Sequence, residues 1–147
     1  MVEVRKGDLF ESGAYAIVNT VNCVGVMGKG IALEFKQRYP AMFLPYVGAC
    51  RQGLKPGQIF AWDTGSTAFP RVIFNFATKD HWRNPSKLEW IAKGLDDLKD
   101  RVIMGVESLA LPALGCTNGG LRFEDVRALI QEKLNDLEIP VILYEPQ

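Results

Sequence analysis

The sequence predicts an α/β fold in which helices cover both faces of a mixed, mostly parallel sheet, giving a three-layer α/β/α sandwich. Two observations carry this prediction. Short β-prone segments alternate with segments of helical spacing along much of the 147-residue chain, a pattern typical of strand–helix–strand units. Two of the strand-like segments also run directly into glycine-rich loops followed by helical spacing. Ligands of such folds bind beyond the carboxyl ends of the strands.

Six segments have the composition of short strands bounded by turn residues. In chain order they are Val2–Lys6, Ala14–Asn19, Gln58–Asp63, Arg71–Ala77, Ser108–Leu114 and Pro140–Tyr144. Gly7 and Asp8 end the first of them. The third and fourth are separated by a turn around Gly65 and Ser66, which predicts a hairpin.

Four segments carry apolar residues at helical spacing. They are Ile31–Arg38, Ala41–Arg51, Lys87–Asp100 and Phe123–Leu137. Pro40 ends the first, and Gly53 ends the second. Ser86 and Glu89 form a capping-box pattern at the start of the third helix.

The bulk composition predicts one globular domain over residues 1–147, with no linker or repeat. Apolar residues make up 48% and charged residues 23%, and 17 basic side chains balance 17 acidic ones. This charge balance argues against a protein that binds along a long DNA duplex, though not against one that binds a single modified nucleotide. The three cysteines and single histidine lack metal-ligand spacing, and no apolar signal region begins the chain. We therefore expect a cytoplasmic protein, monomeric, that binds neither metal nor membrane.

The two glycine-rich loops are the strongest functional signal. Together with the strand residues that lead into them, the first extends from Val18 to Ala32, and the second from Leu109 to Leu121. Glycine allows main-chain N–H groups to approach an anion, and the following helix N-terminus favours negative charge. Neither loop matches the dinucleotide fingerprint or the P-loop, because Gly30 follows Lys29 where a P-loop has Ser or Thr. The alternative is that these glycines only form tight turns.

Two amides precede the first loop. Asn19 is the better candidate for a structural role, bonding neighbouring backbone. Asn22 lies nearer the loop, and its amide can donate to and accept from a ribose hydroxyl. We expect Asn22 to contact a sugar.

These loops resemble those of the macrodomains. Val18–Cys23 followed by Gly25–Ala32 resembles their first ligand loop, and Leu111–Leu121 resembles their second. Gly7-Asp8-Leu9 resembles their adenine-binding motif. Asn75–Lys79 resembles the lysine-bearing strand end of the subgroup that includes the DarG antitoxins and the terminal ADP-ribose protein glycohydrolase. The resemblance extends from Lys6 to the last strand and implies a macrodomain-like sandwich that binds ADP-ribose.

The resemblance also implies which residues hold ADP-ribose. Asp8 would accept from the adenine amine, with the Leu9 amide nearby, and Asn22 would contact the distal ribose. The remaining contacts would come from Thr78 and from the two loops: Gly28, Gly30, Ile31, Ala32, Gly115, Cys116, Thr117, Asn118, Gly119, Gly120 and Leu121. Asp8 has an alternative role as a turn cap after Gly7. Thr117 stands where we expect glycine in the family, and a β-branched residue fits badly if that position needs positive φ.

Lys79 distinguishes an enzyme from a binding module. It follows an apolar strand, so it would emerge at the ligand edge of the sheet, where desolvation favours the neutral amine. In the resembled subgroup this lysine is catalytic and acts on the anomeric carbon of the distal ribose. The alternative is a solvated surface lysine. Trp82 and Arg83 follow Lys79 closely and are candidate DNA contacts. Trp82 could stack on a base, and Arg83 could bind a phosphate. The alternative is that Trp82 packs on the adjacent helix and that Arg83 is solvated.

The resemblance implies a glycohydrolase that removes ADP-ribose from a base of single-stranded DNA and counteracts a DarT-type toxin. This chain, ending at Gln147, would then be the catalytic module, with no cofactor. A protein-directed glycohydrolase acting on carboxylate linkages is one alternative, although the aspartate its second loop requires is missing here; Glu124 and Asp125 are expected on the surface of the next helix. A module that binds ADP-ribose without turnover is the other.

Overall fold

A computed structural model describes the whole chain, from Met1 to Gln147, and shows one six-stranded sheet between two pairs of helices. The strands are β1 (Val2–Arg5), β2 (Ala16–Val21), β3 (Ile59–Asp63), β4 (Val72–Ala77), β5 (Leu109–Leu111) and β6 (Val141–Tyr144). Their order across the sheet is β1-β6-β5-β2-β4-β3. Every neighbouring pair is parallel except β3 and β4, which pair antiparallel at one edge.

The helices are α1 (Gly30–Arg38), α2 (Pro40–Arg51), α3 (Leu88–Val102) and α4 (Phe123–Leu134), and a short 3-10 turn covers Leu9–Glu11. One core cluster joins α3 and α4 to one face of the sheet, and a second joins α1 and α2 to the other. The predicted three-layer α/β/α sandwich with a mostly parallel sheet is therefore confirmed.

The alternation of side chains along β2 explains why both faces of the sheet are covered. Ala16 and Val18 lie in the cluster with α3 and α4, whereas Ile17 and Val21 lie in the cluster with α1 and α2. Successive strand residues point to opposite faces, and a strand that is apolar on both faces needs a helical layer on each. The buried Asn19 amide donates from Nδ2 to Asn75 Oδ1 at 3.0 Å, so its structural role is to pair two strands through side chains rather than to bond backbone.

Each element differs from the predicted one by at least one residue at one of its ends, and three of these differences have a clear physical cause. β2 continues to Val21, because its last residues pair with Phe76 and Ala77 of β4. β5 ends at Leu111, since Pro112 has no N–H to extend the ladder. α4 ends at Leu134 and gives way to a turn in which the Leu137 N–H donates to the Leu134 carbonyl. No helix combines the length and the apolar character that crossing a bilayer requires.

The predicted cap of α3 is wrong. Lys87, not Ser86, occupies the N-cap position of this helix, and no side chain caps it. The Ser86 N–H donates instead to the Gly119 carbonyl at 2.9 Å, which ties the start of α3 to the second glycine loop.

Candidate active site

A cavity of about 820 Å³ opens at the edge of the sheet where the five parallel strands end. Its lining comes from the segments that follow β1, β2, β4, β5 and β6. Parallel strands bring their carboxyl ends to one edge, so residues far apart in the sequence converge there. The volume lies within the range of small-molecule and cofactor sites.

The first loop follows β2 and is held by the amide of Asn22. Its Oδ1 accepts from the N–H groups of Val24 (3.1 Å) and Val26 (3.3 Å), and its Nδ2 donates to the Val26 carbonyl at 2.7 Å. The buried Tyr46 hydroxyl lies 2.7 Å from the Asn22 carbonyl and 2.9 Å from its Oδ1. Asn22 lines the cavity as predicted, but most of its hydrogen-bonding capacity shapes the loop, which leaves one Nδ2 hydrogen for a ligand.

The first loop leads into the N-terminus of α1, which faces the cavity. Gly28, Gly30, Ile31 and Ala32 all line it, as the sequence predicted. Gly30 begins the helix at φ +62°, and no side chain caps the helix start at Lys29. The first N–H groups of a helix have no partner within the helix, and they carry its positive dipole end. This arrangement suits an anion.

The second loop follows β5. Gly115, with φ +73°, turns the chain at its base, and Thr117, Asn118 and Gly119 line the cavity beyond it. Thr117 is free of the expected strain, because no residue other than glycine has a positive φ in this chain.

Three predicted contacts of the second loop need correction. Cys116 lines the cavity, but its N–H donates to the Ala113 carbonyl at 3.2 Å and is not available to a phosphate. Gly120 and Leu121 are not among the lining residues. The Leu121 N–H donates to the Gly115 carbonyl at 3.0 Å, and its side chain packs against the core cluster of α3 and α4.

The two loops meet over the cavity. A Cβ atom added to Gly30 would lie 3.0 Å from Asn118 Nδ2. Because this is tighter than an ordinary contact, only glycine lets the two loops approach so closely. The cavity is therefore a cleft with main-chain N–H groups on both sides, as expected of a diphosphate site.

Lys79 emerges at the same place, just beyond β4. Its Nζ donates to the Asn118 carbonyl at 2.8 Å and to the Trp82 carbonyl at 3.2 Å. Desolvation, and secondarily the positive charge of Lys29, lowers the pKa of the Lys79 amine below its usual value. Lys79 is thus a half-buried cation that lines the cavity and is held by two carbonyls, not the solvated surface lysine of the alternative reading.

A cysteine thiolate is a poorer nucleophile candidate in this cleft. Burial raises the pKa of the Cys116 thiol to about 11 and that of the Cys23 thiol to about 12. Both thiols stay protonated at neutral pH, and only the thiolate attacks.

Asp8 and Leu9 line the end of the cavity next to β1. Asp8 Oδ1 accepts from the Phe10 N–H at 2.9 Å and caps the 3-10 turn. The capping role and the lining role coexist, because Oδ2 remains available to a ligand. Leu9 is buried, so its main chain is what it can offer.

Thr78 also lines the cavity, although it is buried. Its N–H donates to the Val21 carbonyl at 2.9 Å and continues the pairing of β2 with β4. The side chain and the carbonyl are the groups left for a ligand.

Trp82 lies at the rim of the cavity and is 47% exposed. It does not pack on the adjacent helix; its ring lies 5.1 Å from that of His81 and 4.7 Å from the Arg83 guanidinium. Arg83 is exposed and is not among the lining residues. Glu124 and Asp125 are exposed in the first turn of α4, as expected.

Sequence reasoning missed the end of the chain as part of the site. Residues from Tyr144 to Gln147 line the cavity beside Gly7, and Gln147 Nε2 donates to the Gly7 carbonyl at 2.9 Å. The sequence did contain a signal for this part of the site. The last strand was predicted, and a strand parallel to its neighbours must end at the edge of the sheet where the ligand is expected. Nothing local marked Tyr46 as the support of the first loop.

Comparisons with known proteins agree with this architecture. The macro domain family model matches residues 18–130. A curated DNA ADP-ribosyl glycohydrolase from Thermus aquaticus is 50% identical over 99% of this chain, but the chain spans only 41% of that relative's length. The solved macrodomain of Mycobacterium tuberculosis DarG is 47% identical, superimposes with a TM-score of 0.96, and is covered over 99% of its length by this whole chain.

A third similar structure is Thermosipho africanus DarTG in complex with ADP-ribose. It is 34% identical, with a TM-score of 0.89, over 99% of this chain and 41% of that one. The family model and the DarG macrodomain each match most of the chain. This chain belongs to the macro domain family.

Proposed function

We propose that this chain is the catalytic module of a DNA ADP-ribosyl glycohydrolase, which releases ADP-ribose from a modified DNA base. The single observation that carries the proposal is the position of the Lys79 amine. It lies where the two anion-binding loops meet, 2.8 Å from the Asn118 carbonyl, and its pKa is lowered.

The dimensions of the cleft suit ADP-ribose. The strand order separates β1, which precedes Asp8, from β4, which precedes Lys79, by four strand spacings, about 19 Å at the usual spacing. Adenine at the Asp8 end would place the diphosphate between the two loops and the distal ribose near Lys79. ADP-ribose is also the ligand of the similar Thermosipho africanus DarTG structure.

The proposed chemistry takes place at the anomeric carbon of the distal ribose. The lone pair of the neutral Lys79 amine assists at this carbon while the bond from the carbon to the nucleobase breaks. Water adds its hydroxyl to the carbon and its proton goes to the departing base, so the products are ADP-ribose and the unmodified base. Desolvation helps because a neutral amine carries the lone pair that a nucleophile needs. The carbonyls of Asn118 and Trp82 aim the amine before the substrate arrives.

The choice of DNA over a protein carboxylate rests on the second loop and on the relatives. No acidic residue lies between Gly115 and Leu121, whereas the protein-directed enzyme resembled above uses an aspartate there. The acidic residues that line the cavity are Asp8, Glu34 and Glu145. Asp8 and Glu145 follow β1 and β6, far from Lys79 in the strand order. The curated Thermus aquaticus relative is named for DNA.

The test offers the purified chain an ADP-ribosylated single-stranded oligonucleotide and a protein ADP-ribosylated on glutamate, side by side. We expect release of ADP-ribose from the oligonucleotide, loss of release in Lys79→Ala, and retained binding of free ADP-ribose by calorimetry. Lys55→Ala is the control, because Lys55 is an exposed lysine outside the cavity. Equal turnover by Lys79→Ala and the wild type would contradict the proposal, and clearance of neither substrate would favour a binding module.

The proposed biological role is that of an antitoxin to a DarT-type DNA ADP-ribosyl transferase. The similarity to DarG and DarTG supports it. Coexpression with such a toxin should restore bacterial growth for the wild-type chain and for Lys55→Ala, but not for Lys79→Ala. Growth restored equally by all three would argue for neutralisation without hydrolysis.

A further inference from the structure

We propose that Trp82 is a stacking platform for a nucleobase of single-stranded DNA, and that it makes the site prefer a strand over an isolated ADP-ribosylated nucleotide. The inference rests on the proposed function and deepens it. It concerns the part of the substrate that lies outside the ADP-ribose cleft.

The exposure of Trp82 is the first observation. Its indole is 47% exposed at the rim of the cavity, whereas the other two tryptophans, Trp62 and Trp90, are half-buried. Large aromatic rings gain most by burial. Arg83 lies over the Trp82 ring and His81 packs beside it, but 47% of the side chain remains exposed at the cleft, and this part is available to the π-face of a base. Stacking of bases on aromatic side chains is the usual means by which proteins bind single strands.

The turn that carries Trp82 is preorganised. Asp80 Oδ1 accepts from the His81 N–H at 2.7 Å and from Asn84 Nδ2 at 3.1 Å. His81 Nδ1 accepts from the Arg83 N–H at 3.1 Å, and the Asp80 carbonyl accepts from the Cys23 N–H of the first loop. A turn already fixed by hydrogen bonds loses little conformational entropy when it binds a partner.

The charges around the indole suit a phosphodiester backbone. The Arg83 guanidinium lies 4.7 Å from the centre of the Trp82 ring, and Lys87 occupies the N-cap position of α3. Asp80 is the acidic residue of this turn, and its carboxylate is occupied by Asn84 and the His81 N–H. Residues 79–87 carry three basic side chains (Lys79, Arg83 and Lys87) against the one carboxylate of Asp80, so the segment is cationic within a chain of zero net charge, and phosphates bind cations.

The platform is joined directly to the proposed catalytic group. The Trp82 carbonyl accepts from Lys79 Nζ at 3.2 Å, so one residue orients the amine through its main chain and presents the indole on its side chain. A base stacked on the indole would therefore lie next to the anomeric carbon on which the amine acts. Trp82 acts on specificity by contact with the strand. A duplex offers no free base face, so the platform predicts a preference for single strands.

The experiment compares two substrates made from one oligonucleotide modified by a DNA ADP-ribosyl transferase. One is the intact single strand, and the other is the ADP-ribosylated nucleotide obtained from it by nuclease digestion. The measured quantity is the ratio of the two kcat/KM values. Base stacking predicts that Trp82→Ala lowers this ratio by about 5- to 150-fold, and that Trp82→Phe restores most of it.

Phe69→Ala is the matched control. Phe69 is a similarly exposed aromatic residue (46%), and it lies before β4, at the end of this strand opposite the cavity. It should leave the ratio unchanged. A ratio for Trp82→Ala within about twofold of the wild-type value would overturn the platform, because a merely structural role would lower both kcat/KM values together.

Failure of the proposed function can be told apart from failure of the platform. If the wild-type chain cleaves neither substrate, the glycohydrolase proposal fails. The platform is then measured by binding alone, as the Kd of free ADP-ribose divided by the Kd of the ADP-ribosylated oligonucleotide. A fall of this quotient in Trp82→Ala supports the platform, and an unchanged quotient refutes it.

Discussion

The sharpest test of the two-loop cleft is the substitution Gly30→Ala. Gly30 begins α1 at φ +62°, between the first loop and the helix whose N–H groups face the cavity. The added methyl group would also meet Asn118 Nδ2 at 3.0 Å, across the place where the two loops touch. One carbon atom therefore disturbs both walls of the cleft.

The expected magnitude follows from these two costs. A left-handed conformation costs an L-residue roughly 1–2 kcal/mol, and the Asn118 amide must move by a few tenths of an ångström. The free protein can relieve the strain by rotating a peptide of the exposed loop. Bound diphosphate would need the original conformation, so the strain returns as lost affinity. A cost of about 1–2 kcal/mol corresponds to roughly 5- to 30-fold weaker binding.

Isothermal titration with ADP-ribose measures this loss, and Gly28→Ala is the matched control. Gly28 lies in the same loop and lines the same cavity. Its φ is not in the left-handed region, and an added Cβ would make only an ordinary 3.4 Å contact with Val26. We expect Gly28→Ala to bind within about threefold of the wild type. Equal affinity of the two alanine variants would refute the argument that Gly30 holds the cleft in its binding conformation.

Three further predictions concern the first loop, the packing of the core and the pH dependence of the proposed reaction. Tyr46→Phe removes the buried hydroxyl that bonds the first loop; one hydrogen bond is worth about 0.5–1.5 kcal/mol, so calorimetry should show ADP-ribose binding roughly 2- to 10-fold weaker. Gly94→Ala places a methyl group into the buried ring of Phe76; overpacking of about 1–3 kcal/mol should lower the Tm by roughly 2–8 °C in a thermal melt. If the neutral Lys79 amine is the active form, kcat/KM rises with pH as its lowered pKa is passed; Lys29→Gln removes a cation that lowers this pKa, so the rise should move to higher pH.

Controls separate these effects from general damage. Gly48→Ala, on the open side of α2, meets no atom within 4 Å and should not lower the Tm. Lys87→Gln removes a cation that is not among the causes of the lowered Lys79 pKa, so it should leave the pH profile in place. An unshifted profile in Lys29→Gln would show that the rate does not follow the charge of Lys79.

The sandwich was predictable because its signals are local. Apolar alternation, helical spacing, and the proline and glycine predicted to end the first two helices (Pro40 and Gly53) are each recognised within a few residues. The ends of the strands depend on their partners instead. Val21 belongs to β2 only because Ala77 of β4 pairs with it, and no pattern near residue 21 contains that information.

The same distinction applies to the site. The glycines pointed to loops at the ends of two strands, although tight turns alone would have left the same signature in the sequence. The role of Asn22 was harder to assign, since its amide is held in part by Tyr46, 24 residues further along the chain. Cys116 was assigned a ligand contact from the family resemblance alone, and only the turn geometry shows that the Ala113 carbonyl accepts from its N–H. Ser86 matched a helix cap in sequence but belongs to the second loop.

The zero net charge of the chain conceals a polarity along the cleft, and this polarity gives the site its direction. Asp8 and Glu145 line the cavity after β1 and β6, and Lys79 lines it after β4. Lys29, just before α1, is close enough to lower the pKa of Lys79, and Glu34 of α1 is the remaining acidic residue of the lining. Acidic acceptors suit the exocyclic amine of adenine, and cations suit phosphates. Under the proposed function, an elongated ligand with an amine at one end would bind in one orientation, with its far sugar at Lys79. A module that only had to hold ADP-ribose would gain nothing from a desolvated amine at that sugar, and this is the physical reason to interpret the cleft as an active site.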